Sequence, residues 1–252
     1  TKGMKRLGLI GYPLSHSFSV KYFSEKFSRE GIRGFEYRNY PIQSVQALKP
    51  LIQEEKDLIG LNVTIPHKEK VMSLLDEIDQ EAAQIGAVNT IRITRTSGKI
   101  HLKGYNSDAC GFRESLLPLL GGGHRHALVL GTGGASKAVT YALEQLGIGY
   151  QYVSRDPAEG QLHYIDLCYA IIKKHTLIIN TTPLGTYPDT SAFPNIPYDL
   201  VTSGHILYDL VYNPPETEFL RLGRQKGATV KNGHEMLILQ AEKSWEIWNL
   251  PG

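Results

Sequence analysis

An α/β protein of two lobes is the fold this sequence predicts, and three observations predict it. Short β-rich runs alternate with helix-length amphipathic stretches along almost the whole chain, the pattern of βαβ units and a parallel sheet. A hydrophobic strand, a glycine loop and a helix, "ALVLGTGGASKA", restart that alternation at mid-chain. With 252 residues, a folded chain buries roughly three quarters of its extended surface, enough for two cores.

The elements follow in order. "RLGLIGYP" reads as a strand, residues 17–31 as a helix, "FEYRNYP" as a strand, 42–54 as a helix, "LIGLNVTIP" as a strand and 67–78 as a helix. "GAVNTIRIT" and "GKIHLKGYN" are two strands joined by an "RTSG" turn, before a helix over 108–120. The second series has a strand in "HALVL", a helix over 135–146, a strand in "GIGYQYVSRDP" and a helix near 162–174. Strands in "TLIIN", "HILYDLVY" and "ATVKNG" follow, and a final amphipathic helix spans 235–248. No fixed-period repeat or low-complexity tract interrupts the series, so the lobes divide near 105–108. Open α/β sheets bind ligands beyond the carboxyl ends of their strands, which places the expected working site in a cleft between the lobes.

Composition is ordinary for a globular chain, with 41% hydrophobic and 21% charged residues and a net charge of +2. That charge is too small, and its carriers too dispersed, for nucleic acid or an anionic membrane. Cys110 and Cys168 are isolated from any disulfide or metal-ligand spacing, and the nine histidines show no metal-binding pattern, so no metal is expected. The N-terminal stretch has no apolar core of signal-peptide length, and no window is apolar enough to span a bilayer. A cytoplasmic protein acting on a small molecule is the expectation.

Gly131, Thr132, Gly133, Gly134 and Ala135 lie between strand and helix, where glycines let the backbone approach a pyrophosphate and a helix N-terminus offers N–H donors. Ser136 stands where the third fingerprint glycine would fall. The next strand ends at Ser154, Arg155 and Asp156, the position that meets the adenosine ribose in a dinucleotide fold. Arg155 can donate to a 2′-phosphate, which favours NADP; Asp156 would repel that phosphate and accept from a free 2′-hydroxyl, as in NAD. Arg155 comes first off the strand and tips the expectation to NADP.

Small polar groups cluster at other element ends: Ser15, Ser17 and Ser19 in "PLSHSFS", Asn62, Thr64 and Lys68 in "LNVTIPHK", Asn89 in "GAVNT" and Asp108 in "GYNSDACGF". Ser17 and Asp108 also suit helix N-caps, and Asn89 suits a turn. His16 and His67 lie beside these motifs. Lys68 fits no such local role. Placed in the first turn of a helix behind Pro66, its charge would oppose the helix dipole by about 0.3 to 1 kcal/mol. An anionic neighbour, such as Asp108 or a substrate carboxylate, would offset that conflict and hold the ammonium as a proton donor.

Eight stretches, "GYPLSHSFS", "LNVTIPHKEKV", "GAVNTI", "GYNSDACGF", "VLGTGGASKAV", "NTTPLGTYPD", "YDLVYNPPETEFL" and "NGHEMLILQAEKSWEIW", resemble in this order the successive motifs of shikimate dehydrogenases. The resemblance spans essentially the whole chain. It implies reversible NADPH-dependent reduction of 3-dehydroshikimate to shikimate, a step toward chorismate and the aromatic amino acids, by a monomer or homodimer. It implies Lys68 and Asp108 as the catalytic pair, and Ser17, Ser19, Asn62, Thr64, Asn89, Tyr212, Gly233 and Gln240 around the substrate. Thr182, Leu210 and Gly233 would join the glycine loop and Ser154 to Asp156 around the cofactor. It further implies a substrate-binding catalytic domain, 1-106 plus 235-252, whose mixed sheet is completed by the C-terminal helix, and a Rossmann-like domain, 107-234.

Gln240 adds a reading of its own. It is spaced with Leu237, Ser244 and Ile247 along one side of the last helix, so its amide needs a partner, either backbone or a polyol ligand. Where the family's cofactor loop has Asn-Arg-Thr and another basic residue, this chain has Ser154-Arg155-Asp156 and then Glu159. That departure keeps a quinate/shikimate dehydrogenase using NAD as the alternative enzyme. A catalytically silent dinucleotide sensor of redox state is the alternative of a different class, opposed by the presence of both Lys68 and Asp108.

Overall fold

The computed structural model describes residues 3–15 and 17–251; His16 and the extreme ends of the expected 1-106 plus 235-252 domain lie outside the described residues. The chain forms two compact units, residues 1–107 with 241–252, and residues 108–240.

The first unit contains β1 (Lys5–Gly11), α1 (Phe18–Arg29), β2 (Phe35–Pro41), α2 (Leu48–Glu54), β3 (Leu58–Val63), β4 (Glu77–Ile78), α3 (Gln80–Ile85), β5 (Thr90–Thr96) and β6 (Lys99–Tyr105). Its sheet runs β2-β1-β3-β5-β6-β4. It is mixed: β1 pairs in parallel with β2 and β3, and β5 runs antiparallel to β3 and β6. Both faces are apolar and both are covered, as expected for buried parallel strands. One face packs Leu48, Ile52, Val71 and Ala82 against Ile10, Leu61 and Ile91. The other packs Phe23 and Phe27 of α1 with Tyr37 and the C-terminal Ala241 and Trp248. Trp248 lies against Gly60, where a side chain would collide with the indole, and its Nε1 donates to the Ile91 carbonyl at 3.0 Å.

The second unit contains α4 (Asp108–Leu116), β7 (His126–Leu130), α5 (Gly134–Gln145), β8 (Gly149–Ser154), β9 (Leu162–His163), α6 (Tyr169–Lys174), β10 (Leu177–Asn180), β11 (Ile206–Asp209), α7 (Glu218–Gln225) and β12 (Thr229–Lys231). α8 (His234–Trp248) begins here, and its residues from Ala241 onward belong to the first unit. The sheet order is β12-β11-β10-β7-β8-β9, with every pairing parallel. Numbered within this unit, that is 3-2-1-4-5-6, the doubly wound order whose switch point lies between its first and fourth strands, here β7 and β10. The buried strands β10 and β11 each end in a polar residue, Asn180 and Asp209, both without solvent exposure. Burial pushes the Asp209 carboxyl up to about 6, against hydrogen bonds from Thr217, the Val211 N–H and Asn180 that pull it down.

Four expected helices change form, that over 108–120 by stopping at Leu116 before a 3₁₀ turn at Leu117–Leu119. Residues 67–78 give only a short 3₁₀ turn, Lys70–Leu74, then β4. The Lys68 carbonyl accepts from Val88 N–H at 2.8 Å, and the N–H of Met72, four positions on, donates instead to the Glu69 carbonyl at 3.2 Å. Residues 162–174 divide into β9, a 3₁₀ turn capped by His163 and Asp166, and α6. Extended Leu167 and Cys168 break the run, and pairing of Leu162 and His163 with Val153 and Ser154 outweighs helical periodicity. The 42–54 helix is confined to 48–54, after a 3₁₀ turn at Val45–Ala47.

Two measurements check this packing. Trp248→Ala removes a buried indole and its hydrogen bond to the Ile91 carbonyl, so urea denaturation should show a loss of about 3 to 5 kcal/mol; a loss under about 1 kcal/mol contradicts the described packing. The folded chain holds the Asp209 proton more tightly than the unfolded chain, so its contribution to stability falls as pH rises from about 4 through about 6. Between those limits Asp209→Asn should gain on the wild type by up to about 3 kcal/mol, and a pH-independent difference contradicts the burial of an ionisable carboxyl.

Candidate functional site

One edge of the first unit's sheet collects most of the polar motifs. β1 and β3 run in parallel and end at Gly11 and Val63, so the loops carrying Ser17 and Thr64 to Lys68 leave the same side. Antiparallel β5 starts beside β3, with Thr90 opposite Asn62, and β6 ends with Tyr105 opposite Thr90. Asn89 and the Asn106-Ser107 pair therefore fall on that edge too.

A buried hydrogen-bond network fixes this edge. Asn62 Oδ1 accepts from the Tyr37 hydroxyl at 2.9 Å, and Asn62 Nδ2 donates to Ser244 Oγ at 2.9 Å and to the Asn89 carbonyl at 3.2 Å. Asn89 Nδ2 donates to Ser107 Oγ at 2.8 Å, and Asn89 Oδ1 accepts from the Ser107 N–H at 2.7 Å and from Thr90 Oγ1 at 3.0 Å. Ser244 lies within hydrogen-bond distance of Thr90, at 2.9 Å, and of Ser107, at 3.2 Å. Tyr37, Thr90 and Ser107 are members that sequence reasoning missed. The signals were adjacency, since Thr90 follows Asn89 and Ser107 precedes Asp108, and the placement of Ser244 on the same side of α8 as Gln240.

Within this frame Ser19 is buried near the Tyr37 hydroxyl. Ser17 stands directly before α1, as expected of a cap, but its side chain makes no capping bond. Its Oγ is buried and has no partner among the described residues. Such an atom calls for a ligand or water, because a buried unpaired hydroxyl costs about 1 to 3 kcal/mol. Thr64 and Lys68 are half-buried.

The dipole account of Lys68 needs correcting: the residue lies in a turn ahead of a five-residue 3₁₀ segment, with no α-helical first turn to oppose its charge. What the structure supplies instead is an anchored backbone. The Lys68 carbonyl is held by Val88, next to Asn89, and the preceding His67 is buried with Nε2 at 2.6 Å from the Ile42 carbonyl.

In the second unit the glycine loop leaves β7 at the switch point. Gly131 adopts φ of 101°, and a Cβ there would stand 2.8 Å from Thr181 Oγ1 and 2.9 Å from Thr182 Cγ2. Thr132 and Gly133 are exposed, and the space around Gly133 is open. Gly134 and Ala135 begin α5. Ser136 replaces the third fingerprint glycine without disturbing the turn, because its buried Oγ donates back to the Gly133 carbonyl at 2.6 Å. Ser154 ends β8, the neighbour of β7, and its Oγ accepts from Asp156 N–H at 3.1 Å, leaving Arg155 and Asp156 exposed. These features fit a dinucleotide: a tight turn, room beside a helix start, and a guanidinium beyond the second strand.

Thr182 is tied to Asn180 through Oγ1 at 2.7 Å and through its N–H at 3.1 Å. Leu210 follows β11, and any side chain at Gly233 would strike the Leu210 carbonyl. Tyr212 is half-buried, with burial raising its phenol. Asp108 opens α4 as its first helical residue, nearly buried, with Ser107 in front of it. Gln240 is buried and its Nε2 donates to the Leu237 carbonyl at 2.9 Å, so backbone of its own helix meets part of its demand. Among the described residues, no three His, Cys, Asp or Glu side chains gather to hold a metal, and no helix is long and apolar enough to cross a membrane.

The family model for the shikimate dehydrogenase substrate binding domain matches residues 9–91. The chain is 36% identical to the shikimate dehydrogenase (NADP(+)) of Methanosphaera stadtmanae, over 96% of this chain and 90% of that one. The crystal structure of shikimate 5-dehydrogenase from Thermus thermophilus in complex with NADP(H) and shikimate superposes with a TM-score of 0.83 at 32% identity, covering 99% of this chain and 95% of that one. Quinate dehydrogenase from Corynebacterium glutamicum in complex with NAD gives 0.84 at 28% identity, covering 98% and 94%. Identity at this level along nearly the full length, on a mixed substrate-domain sheet and a doubly wound dinucleotide sheet, makes the chain a member of the shikimate dehydrogenase family.

Proposed function

We propose that this protein is an NADP-dependent oxidoreductase that interconverts 3-dehydroshikimate and shikimate, acting on the CH–OH group. One observation carries the proposal: a family member keeps Lys68 on a backbone-anchored loop at the polar edge of its first sheet, and a Gly131-to-Ala135 turn at the switch point of its second. The reaction belongs to aromatic amino-acid biosynthesis, in which we place the protein as a cytoplasmic monomer or homodimer with a small-molecule substrate.

Lys68 and Asp108 are the proposed catalytic pair. Lys68 Nζ donates the proton that converts the nascent alkoxide into a hydroxyl, and Asp108 is the carboxylate that orients the ammonium. In the reverse direction Lys68 accepts that proton from the shikimate hydroxyl. Ser17, Ser19, Thr64, Tyr212, Gly233 and Gln240 are proposed to surround the substrate, and the orphaned Ser17 hydroxyl is the strongest physical support among them. Asn62 and Asn89 present the same edge, and their amides are braced by Ser107, Tyr37 and Ser244, which fixes the direction of any group they offer.

NADP, when bound, carries the hydride. Gly131 to Ala135 would hold its pyrophosphate, Thr182, Leu210 and Gly233 would line its path, and Ser154 to Asp156 would meet the adenosine ribose. Arg155 supplies the positive charge that a 2′-phosphate requires. The exposed Asp156, together with the likeness to a quinate dehydrogenase that binds NAD, supports quinate and NAD as the second reading.

Lys68→Ala should lower kcat by about 10² to 10⁴ while leaving NADP affinity, measured by direct titration, nearly unchanged; wild-type turnover in that variant refutes the role. Arg155→Ala should raise the KM for NADP about tenfold or more and move the KM for NAD by less than about twofold. Equal losses for both cofactors would remove Arg155 from recognition of the 2′-phosphate.

A further inference from the structure

Asp209 is a fully buried carboxyl outside the proposed contact set. Its Oδ1 accepts from Asn180 Nδ2 at 3.1 Å and from the Val211 N–H at 3.0 Å, and its Oδ2 accepts from Thr217 Oγ1 at 2.6 Å. Asn180, equally buried, turns its own Oδ1 to Thr182, binding both N–H and Oγ1, and its carbonyl accepts from the Leu210 N–H at 3.0 Å. Thr182 Cγ2 and N stand 2.9 and 3.4 Å from where a side chain on Gly131 would begin. Two hydrogen-bonded steps therefore lead from Asp209 to the residue that abuts the glycine loop, and a third bond fixes the backbone just after Leu210.

We infer that Asp209 and Asn180 are positioning residues for the dinucleotide: Asp209 Oδ1 orients the Asn180 amide, which sets Thr182 against the glycine loop, and the same two residues hold the 210–211 backbone. The inference rests on the dinucleotide role proposed above and names the residues that make that site rigid. What the relay needs from position 209 is an acceptor oxygen at Oδ1 rather than a negative charge. Asparagine can provide it, because its amide group can donate to Thr217 Oγ1, which is able to accept.

The test is direct titration of the purified full chain with NADP+ without shikimate, alongside steady-state kinetics and a thermal melt to confirm folding at the assay temperature. Asp209→Ala should raise the Kd for NADP+ about tenfold, with kcat at saturating NADP+ within about threefold of wild type. Asp209→Asn should restore the Kd to within about threefold. Should Asp209→Ala not fold, Asn180→Ala, which cuts the link to Thr182 but keeps the Val211 and Thr217 bonds to Asp209, should raise the Kd in the same way. A folded Asp209→Ala or Asn180→Ala protein that binds NADP+ within about twofold of wild type overturns the relay, and so does an Asp209→Asn protein as weak as Asp209→Ala. A wild-type protein that binds neither NADP+ nor NAD+ overturns the dinucleotide role and the relay with it, whereas tight wild-type binding with unaffected variants removes the relay alone.

Discussion

The first unit's polar edge depends on the Asn62 amide. An amide this deep costs about 1 to 3 kcal/mol for each group left unpaired, so it can persist only if every neighbour answers it. Tyr37 donates to its oxygen, and Ser244 and the Asn89 carbonyl take its protons. Because those partners come from β2, the start of β5 and the C-terminal helix, one side chain ties together segments far apart in sequence. The loops bearing Thr64, Lys68 and Asn89 start from anchored backbone for that reason. The same bonds explain why the last dozen residues belong with the first sheet: Ser244 closes the network and Trp248 seals the apolar face beside it.

The second unit solves the same problem at its own sheet. Parallel strands buried on both faces are apolar along their length, and their polar side chains appear where the strand stops. Asn180 and Asp209 are the last residues of β10 and β11, and they meet each other and the loops that follow. β10 neighbours β7 and β11 neighbours β10, which puts an ordered hydrogen-bond system beside the switch point, where a doubly wound sheet leaves its crevice. A ligand held there meets backbone whose direction is already set, so less ordering entropy remains to be lost on binding.

Much of this was legible in the sequence. The strand, glycine loop and helix appear where "ALVLGTGGASKA" predicts them, and the eight motifs name the family that the comparisons establish. What was not legible depended on distant partners. Lys68 reads as a first-turn helical residue until Val88, twenty positions on, takes its carbonyl. Residues 162–174 read as one helix until β8 pairs with the first two. Thr90 and Ser107 are single small polar residues with no period to mark them, Ser244 is marked only by its helical spacing from Gln240, and only the fold shows that the three share a network. Ser136 departs from the glycine fingerprint, yet it keeps the turn by bonding back to Gly133, a compensation that a pattern of glycines cannot express.

The measurement that tests the central claim most directly is kcat/KM of the wild-type protein for shikimate and for quinate, each with NADP+ and with NAD+. Shikimate with NADP+ should give the highest value of the four. A higher value for quinate with NAD+, or no turnover of either substrate with either dinucleotide, would contradict the account.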